Sequence, residues 1–153
     1  MTFREINTTY DMNTLMNDFG RFHDSCIKEI VYISGGFVNE KGAMNPFDSL
    51  KSVIIVFQSQ DAKYQNIEIK FDGVVQMNLV PKPDDYDNII YEASLIRENE
   101  LYYWAEWGDF RITDSNNYTG TWISAKKISW RALEQPVGNR PIYYPLNYLP
   151  KNE

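Results

Sequence analysis

The sequence feature that most constrains the fold is a change of hydrophobic periodicity within residues 22–33. Upstream of it, apolar residues recur three and four positions apart, which predicts one amphipathic helix over residues 9–19 with its apolar face in the core. The apolar residues of that face are Met12, Leu15, Met16 and Phe19. Thr8 or Thr9 can cap the helix, and Gly20 can end it, because glycine reaches the left-handed conformation without steric cost. Downstream, β-branched and aromatic residues dominate, which predicts strands.

About seven strand-like segments follow the predicted helix. The apolar run from Val53 to Phe57 predicts a strand that is covered on both faces. Asp72-Gly73 stands between two alternating runs, which predicts a tight hairpin, and residues 89–96 are predicted as a further strand. The apolar phase slips at Lys126-Lys127, which predicts a β-bulge.

The predicted fold class is α+β, with an N-terminal helix packed on a mostly antiparallel sheet of about seven strands. The sheet could also be strongly curved or barrel-like. Residues 1–133 have the length of one such domain. Residues 134–153 are rich in proline and tyrosine, which predicts an extended tail that either packs on the domain or trails from it.

The charge balance limits the partners of this chain. Fifteen Lys and Arg against 21 Asp and Glu give a net charge of -6, which repels a phosphate backbone and favours a basic partner over a nucleic acid. The same balance can serve only to keep a small domain in solution. One cysteine forms no intramolecular disulfide, and neither a signal peptide nor an apolar run of membrane length is present. A cytoplasmic protein without membrane contact is therefore predicted.

The single histidine restricts the chemistry available to the chain. A zinc site built from two or three histidines is impossible, so no metal and no cofactor are predicted. A nucleophile and base pair of Cys26 with His23 is disfavoured, because neighbouring side chains on a strand point apart. His23, Asp24 and Ser25 are instead predicted to form a structural junction, with Asp24 and Ser25 making local backbone hydrogen bonds. No catalytic residue is predicted.

Residues 100–107 alternate between the two faces of a predicted strand. The face predicted to enter the core carries Leu101, Tyr103, Ala105 and Trp107. The other face mixes rings with acids and, with neighbours along the chain, forms the predicted binding surface of Glu100, Tyr102, Trp104, Glu106, Asp109 and Trp122. This surface either stands open or is covered by the tail.

These residues leave three functions open. The first is a non-catalytic, acidic interaction protein, in which the carboxylates steer a basic protein partner and the rings anchor it. The alternative is a small-molecule or carbohydrate-binding module, in which Tyr102, Trp104 and Trp122 stack on sugar rings. The third is a hydrolase that uses a pair of carboxylates.

Three short patterns suggest a resemblance to known proteins. His23-Asp24-Ser25 opens the first predicted strand, Phe71-Asp72-Gly73-Val74 marks the predicted central hairpin, and Tyr103-Trp104 lies in a late predicted strand. Together they resemble small single-domain bacterial proteins of unknown function, some of which look like immunity proteins of toxin systems. The resemblance spans about residues 22–130. It implies a bacterial, cytoplasmic, non-catalytic protein that neutralises a toxin by binding it, and it transfers no catalytic residue.

Overall fold

A computed structural model describes residues 2–45 and 50–134 of the chain. The predicted tail of residues 134–153 therefore lies outside the described residues apart from Glu134. The elements, in chain order, are β1 (Arg4–Glu5), α1 (Thr9–Asp18), a 3-10 turn (Gly20–Phe22), β2 (Ser25–Ile33), β3 (Phe37–Val38), β4 (Met44–Asn45), β5 (Ser52–Ser59), β6 (Asn66–Asn78), β7 (Ser94–Glu98), β8 (Leu101–Ala105), a second 3-10 turn (Ile112–Asp114) and β9 (Trp122–Ala132).

The main sheet has seven strands in the order β2-β5-β6-β9-β8-β7, with β1 also paired to β9. Every pairing in it is antiparallel, and β3 pairs with β4 as a separate hairpin. The predicted α+β class, one helix with a mostly antiparallel sheet, is confirmed. Within the described ranges the end strands β2 and β7 do not pair with each other, so the sheet stays open and the barrel-like form is wrong.

The helix α1 forms where the apolar spacing predicts it, and local hydrogen bonds fix where it begins. Thr8 is the N-cap: its hydroxyl accepts a bond from the Asp11 amide (3.1 Å), and the Asp11 carboxylate accepts one from the Thr8 amide (2.8 Å). This reciprocal capping satisfies two amides at the start of the helix. Gly20 adopts a φ of +58° just beyond the last turn. Among the described helices, none has the length and apolar character to span a membrane.

The predicted hairpin at Asp72-Gly73 is wrong, because both residues lie inside the single strand β6. Gly73 does have a positive φ of +64°, but the chain continues along β9 instead of reversing. Pairing with β9 stays in register across Gly73, from the Asp72–Lys127 pair to the Val74–Ala125 pair, and shifts only between Val74 and Gln76. The β-bulge predicted at Lys126-Lys127 is wrong in position, because the extra residue of the register shift lies in β6, although both lysines are exposed between buried residues on either side.

The core lies between α1 and one face of the sheet. Its centre is a chain of rings: Phe19 meets Phe22 edge-on (5.0 Å between centroids), Phe22 meets Phe57 (5.0 Å), and Phe57 meets Trp104 (5.1 Å). The apolar face of α1 belongs to this cluster. A smaller cluster of Ala105, Phe110 and Trp122 forms near the end of β8. Burial of this much ring surface is the main stabilising contribution expected for the fold.

Candidate functional site

The junction after α1 holds a distant loop in place. The Ser25 hydroxyl donates to the Phe22 carbonyl (2.6 Å), and the Ser25 carbonyl accepts from the Ile90 amide (2.7 Å). The Ala93 amide donates to the Arg21 carbonyl (3.1 Å). These bonds attach residues 90–93 to the junction, and the predicted strand over residues 89–96 is wrong for its first half, because β7 begins only at residue 94.

The other two junction residues lie at the surface. The His23 Nδ1 atom is 3.3 Å from an Asp24 carboxylate oxygen, with both side chains substantially exposed. The Asp24 carbonyl accepts a bond from the Gln60 amide (3.1 Å). Ser25 makes the predicted local bond with its side chain, whereas the Asp24 bond is not local, because it joins the junction to the segment after β5. No three His, Cys, Asp or Glu side chains within residues 2–45 and 50–134 are placed to share a metal ion.

The predicted open ring surface is wrong, because its three rings are buried. Tyr102 is 4% exposed, Trp104 is fully buried and Trp122 is 2% exposed. Tyr102 and Trp104 point from β8 into the core beneath α1, and the Tyr102 hydroxyl donates to the Ile6 carbonyl (2.7 Å). Trp107, predicted for the core, is 42% exposed. Both faces of this strand carry large apolar side chains, so alternation alone did not identify the face that α1 covers.

The predicted acids separate into two groups along β8. Glu100 is exposed in the turn between β7 and β8, where its φ is +63°. Glu106 and Asp109 follow the opposite end of the strand, and at roughly 3.3 Å per residue Glu106 lies about 20 Å from Glu100 along the chain. Only Glu106 and Asp109 therefore contribute to a common surface.

That surface is a cleft of about 300 Å³ between the loop before β7 and the residues that follow β8. We call it the acidic–aromatic cleft, and its lining consists of Lys82, Tyr86, Ile89, Tyr91, Glu92, Glu106, Trp107, Gly108 and Asp109. Three of its rings are unusually open for their size: Tyr86 is 58% exposed, Tyr91 56% and Trp107 42%. Such a grouping of exposed rings on a small protein is typical of an interaction surface.

Glu106 is the most buried acid of the cleft, with only 7% of its side chain exposed. Its Oε1 atom accepts from the Thr121 amide (3.2 Å) and from the Lys82 ammonium (3.3 Å). Burial, reinforced by the negative charge of Glu106, raises the pKa of Tyr118 to about 12. The Tyr118 ring stacks on Trp107 with 5.3 Å between centroids, which fixes the orientation of the exposed indole.

Negative charge predominates around the cleft. Six carboxylates belong to the lining or to the loop beside it: Asp84, Asp85, Asp87, Glu92, Glu106 and Asp109. Lys82 and Arg21, which pairs with Glu92 at 3.2 Å, are the two cations in contact with them within the described residues, leaving an excess of four negative charges. Asp87 accepts a bond from the Tyr91 hydroxyl (2.8 Å), and this bond raises the Tyr91 pKa.

The sequence prediction missed Tyr86, Tyr91 and Trp107 as members of one surface. The available signal was the proline- and aspartate-rich stretch over residues 81–87, since a long polar loop with aromatic residues is where binding groups concentrate. Its distance in sequence from Trp107 concealed that the two meet. No protein-family model, no curated protein and no solved structure matches this chain.

Proposed function

We propose that this chain is a non-catalytic binding protein whose acidic–aromatic cleft receives a basic protein partner. The observation that carries the proposal is the combination of exposed Tyr86, Tyr91 and Trp107 with a local excess of carboxylates. Tryptophan and tyrosine are enriched among the few residues that dominate binding energy at protein interfaces, and charge of one sign steers an oppositely charged partner. The overall charge of -6 acts in the same direction over longer distances.

The other two functions lack a comparable observation. The carbohydrate alternative rests on Tyr102, Trp104 and Trp122, and these rings are inside the protein. A hydrolase would use two carboxylates at a defined separation on either side of a bond. The carboxylates of Glu92 and Glu106 instead contact Arg21 and Lys82, which suits charge recognition.

An immunity role is the specific form of this proposal. The resemblance to immunity-like proteins implies a bacterial, cytoplasmic chain whose basic partner is a toxin. A stoichiometric inhibitor needs a surface that excludes water from a partner's essential groups, and it needs no catalytic group of its own. The cleft supplies such a surface through Trp107 and its neighbouring rings.

Affinity capture with matched variants tests the binding function. Three tagged proteins are incubated with lysate of the encoding organism at low salt: wild type, Trp107→Ala and Tyr10→Ala. The proteins that high salt then releases from each are identified by mass spectrometry. Tyr10 is 79% exposed on α1 and does not line the cleft, so its variant is the control. We expect a basic protein on wild type and Tyr10→Ala that is absent from Trp107→Ala. Equal retention on all three would overturn the proposal.

Kinetics with the purified partner test the division of roles. Asp109→Asn should lower the association rate and weaken its salt dependence, because an exposed acid acts mainly through steering. Trp107→Ala should raise the dissociation rate and cost about 2 kcal/mol or more, as expected for a central ring of an interface. An association rate that does not change with salt would contradict the electrostatic part.

A further inference from the structure

We infer that the Glu106 carboxylate binds a lysine or arginine side chain of the partner. In the free protein, Lys82 occupies this binding position until the partner displaces it. The inference rests on the proposed function, because it names the group that the acidic–aromatic cleft recognises. It goes further by assigning Lys82 as an internal competitor. The partner chemistry is a cationic side chain presented by an exposed segment of a basic protein.

Glu106 and Lys82 form the wall between two cavities. The acidic–aromatic cleft lies on one side, and a second cavity of about 190 Å³ lies on the other. Glu106 and Lys82 are the two residues that line both. The second cavity is otherwise mostly apolar, with Ile27, Leu79 and Ile90 among its walls. A lysine or arginine side chain enters with its charged head first, so the head would meet Glu106 while the aliphatic stem lies along the residues of the cleft.

Because Glu106 is buried, its carboxylate is stable only with a cation close to it. A carboxylate with 7% of its side chain exposed is costly to leave without a positive partner. In the described structure Lys82 is the cation that meets it, and the Thr121 amide is a neutral donor to the same oxygen. Any cation that makes additional contacts in the cleft can compete for the position.

Lys82 itself is weakly held. Its ammonium lies 3.3 Å from Glu106 and 5.8 Å from the centroid of the Tyr86 ring. The loop that carries it is anchored at its two ends, by the Val80 amide to the Thr121 hydroxyl (3.0 Å) and by Ile90 at the junction. Between these anchors, the described hydrogen bonds of residues 81–89 are local except for that of Lys82 to Glu106. Lys82 can therefore withdraw without breaking other long-range bonds.

The cleft offers an incoming cation more than Lys82 gains. The Trp107 and Tyr91 rings are exposed beside Glu106, and cations bind favourably over such rings. The Glu92 carboxylate, which pairs with Arg21, packs against Gly108, so a second carboxylate lines the same cleft. A guanidinium can bond to carboxylates through its planar fork and stack on a ring at the same time.

A direct competition experiment tests the role of Lys82. Acetyl-hexa-arginine amide is titrated into wild type, Lys82→Met and Lys63→Met, and the dissociation constants are measured by calorimetry. Lys63 pairs with Asp18 at 3.0 Å and does not line the cleft, so the control removes one equal charge from another ion pair. We expect Lys82→Met to bind the peptide about two- to fivefold more tightly than Lys63→Met, the range of a partly exposed ion pair. Equal or weaker binding by Lys82→Met would overturn the competitor role.

A second variant tests whether the negative charge of Glu106 binds the cation of the peptide. Glu106→Gln keeps an acceptor for the Thr121 amide and removes the charge, and we expect it to bind the peptide at least about fivefold more weakly than wild type. In wild type, the ε-methylene NMR signals of Lys82 should move on peptide addition towards those of an unpaired lysine. Unchanged signals, or unchanged affinity of Glu106→Gln, would overturn the inference.

The outcomes separate this inference from the function on which it rests. If Glu106→Gln binds the peptide as tightly as wild type while Trp107→Ala still fails to capture the protein, the inference is wrong and the binding function stands. If neither the peptide nor any captured protein depends on the cleft, both are wrong.

Discussion

Replacement of Trp104 by alanine distinguishes a buried ring from an exposed anchor. The indole is fully buried, with its ring centroid 5.7 Å from that of Phe22 and 5.1 Å from that of Phe57. Removal of such a ring costs about 3–5 kcal/mol, through lost burial and the cavity left behind. Against a total stability of about 5–15 kcal/mol, this is a large part of the whole.

A second substitution at this position tests the same argument, because one atom of the Trp104 ring lacks a hydrogen-bond partner among the described residues. That atom is the buried Nε1. A buried orphan donor costs about 1–3 kcal/mol, which Trp104→Phe would remove while leaving a smaller cavity than alanine does. We therefore expect Trp104→Phe to lose less than half of what Trp104→Ala loses.

Urea unfolding and thermal unfolding, both followed by far-UV circular dichroism, measure these differences, with Trp107→Ala as the exposed control. Trp104→Ala should lower the melting temperature by about 6–20 °C, given about 2–4 °C per kcal/mol at this chain length. Trp107→Ala should lose less than about 1 kcal/mol, yet it should lose partner capture. Trp104→Phe should keep capture. A Trp104→Ala protein as stable as wild type would refute the burial argument.

Three further predictions concern local features of the fold. Gly73→Ala should destabilise by about 1–2 kcal/mol in urea unfolding, because φ is +64° and the new Cβ would lie 3.2 Å from the Lys126 side chain; no change would contradict this conformation. Thr8→Ala should cost about 1 kcal/mol through loss of the helix cap, whereas Thr8→Ser should cost less, and equal losses would argue against a capping hydroxyl. The raised Tyr118 pKa means that the unfolded chain loses this proton first, so stability should fall between about pH 10 and 12, and less steeply in Tyr118→Phe. Identical pH profiles for the two proteins would refute this assignment.

The helix was predictable because all of its information is local. The apolar stripe of α1, its Thr8 cap and the glycine beyond its end lie within thirteen residues of each other, and each acts over about one turn. The turn between β7 and β8 is also a local feature, and there Asn99 and Glu100 both take positive φ, as tight hairpins require. In both cases the residues that determine the conformation are near neighbours in sequence.

The path of β6 was not predictable from the same kind of signal. Asp72-Gly73 has the composition of a tight turn, but a turn forms only if the two flanking runs pair with each other. Here both runs pair with β9, which is about fifty residues away, and the glycine lies inside the paired stretch. Long-range pairing therefore overrode a strong local preference.

Patterns in the sequence were enough to predict the fold class, the helix and its buried face, the acidic balance, and the scarcity of histidine and cysteine. Which face of β8 enters the core followed only from packing, because both faces carry large rings and the choice depends on where α1 lies. Packing also brings Trp107, Glu106 and Asp109 against a loop some twenty residues earlier in the chain. Side chains brought together by chain folding leave no periodic mark in the sequence, and the acidic–aromatic cleft is made of such side chains.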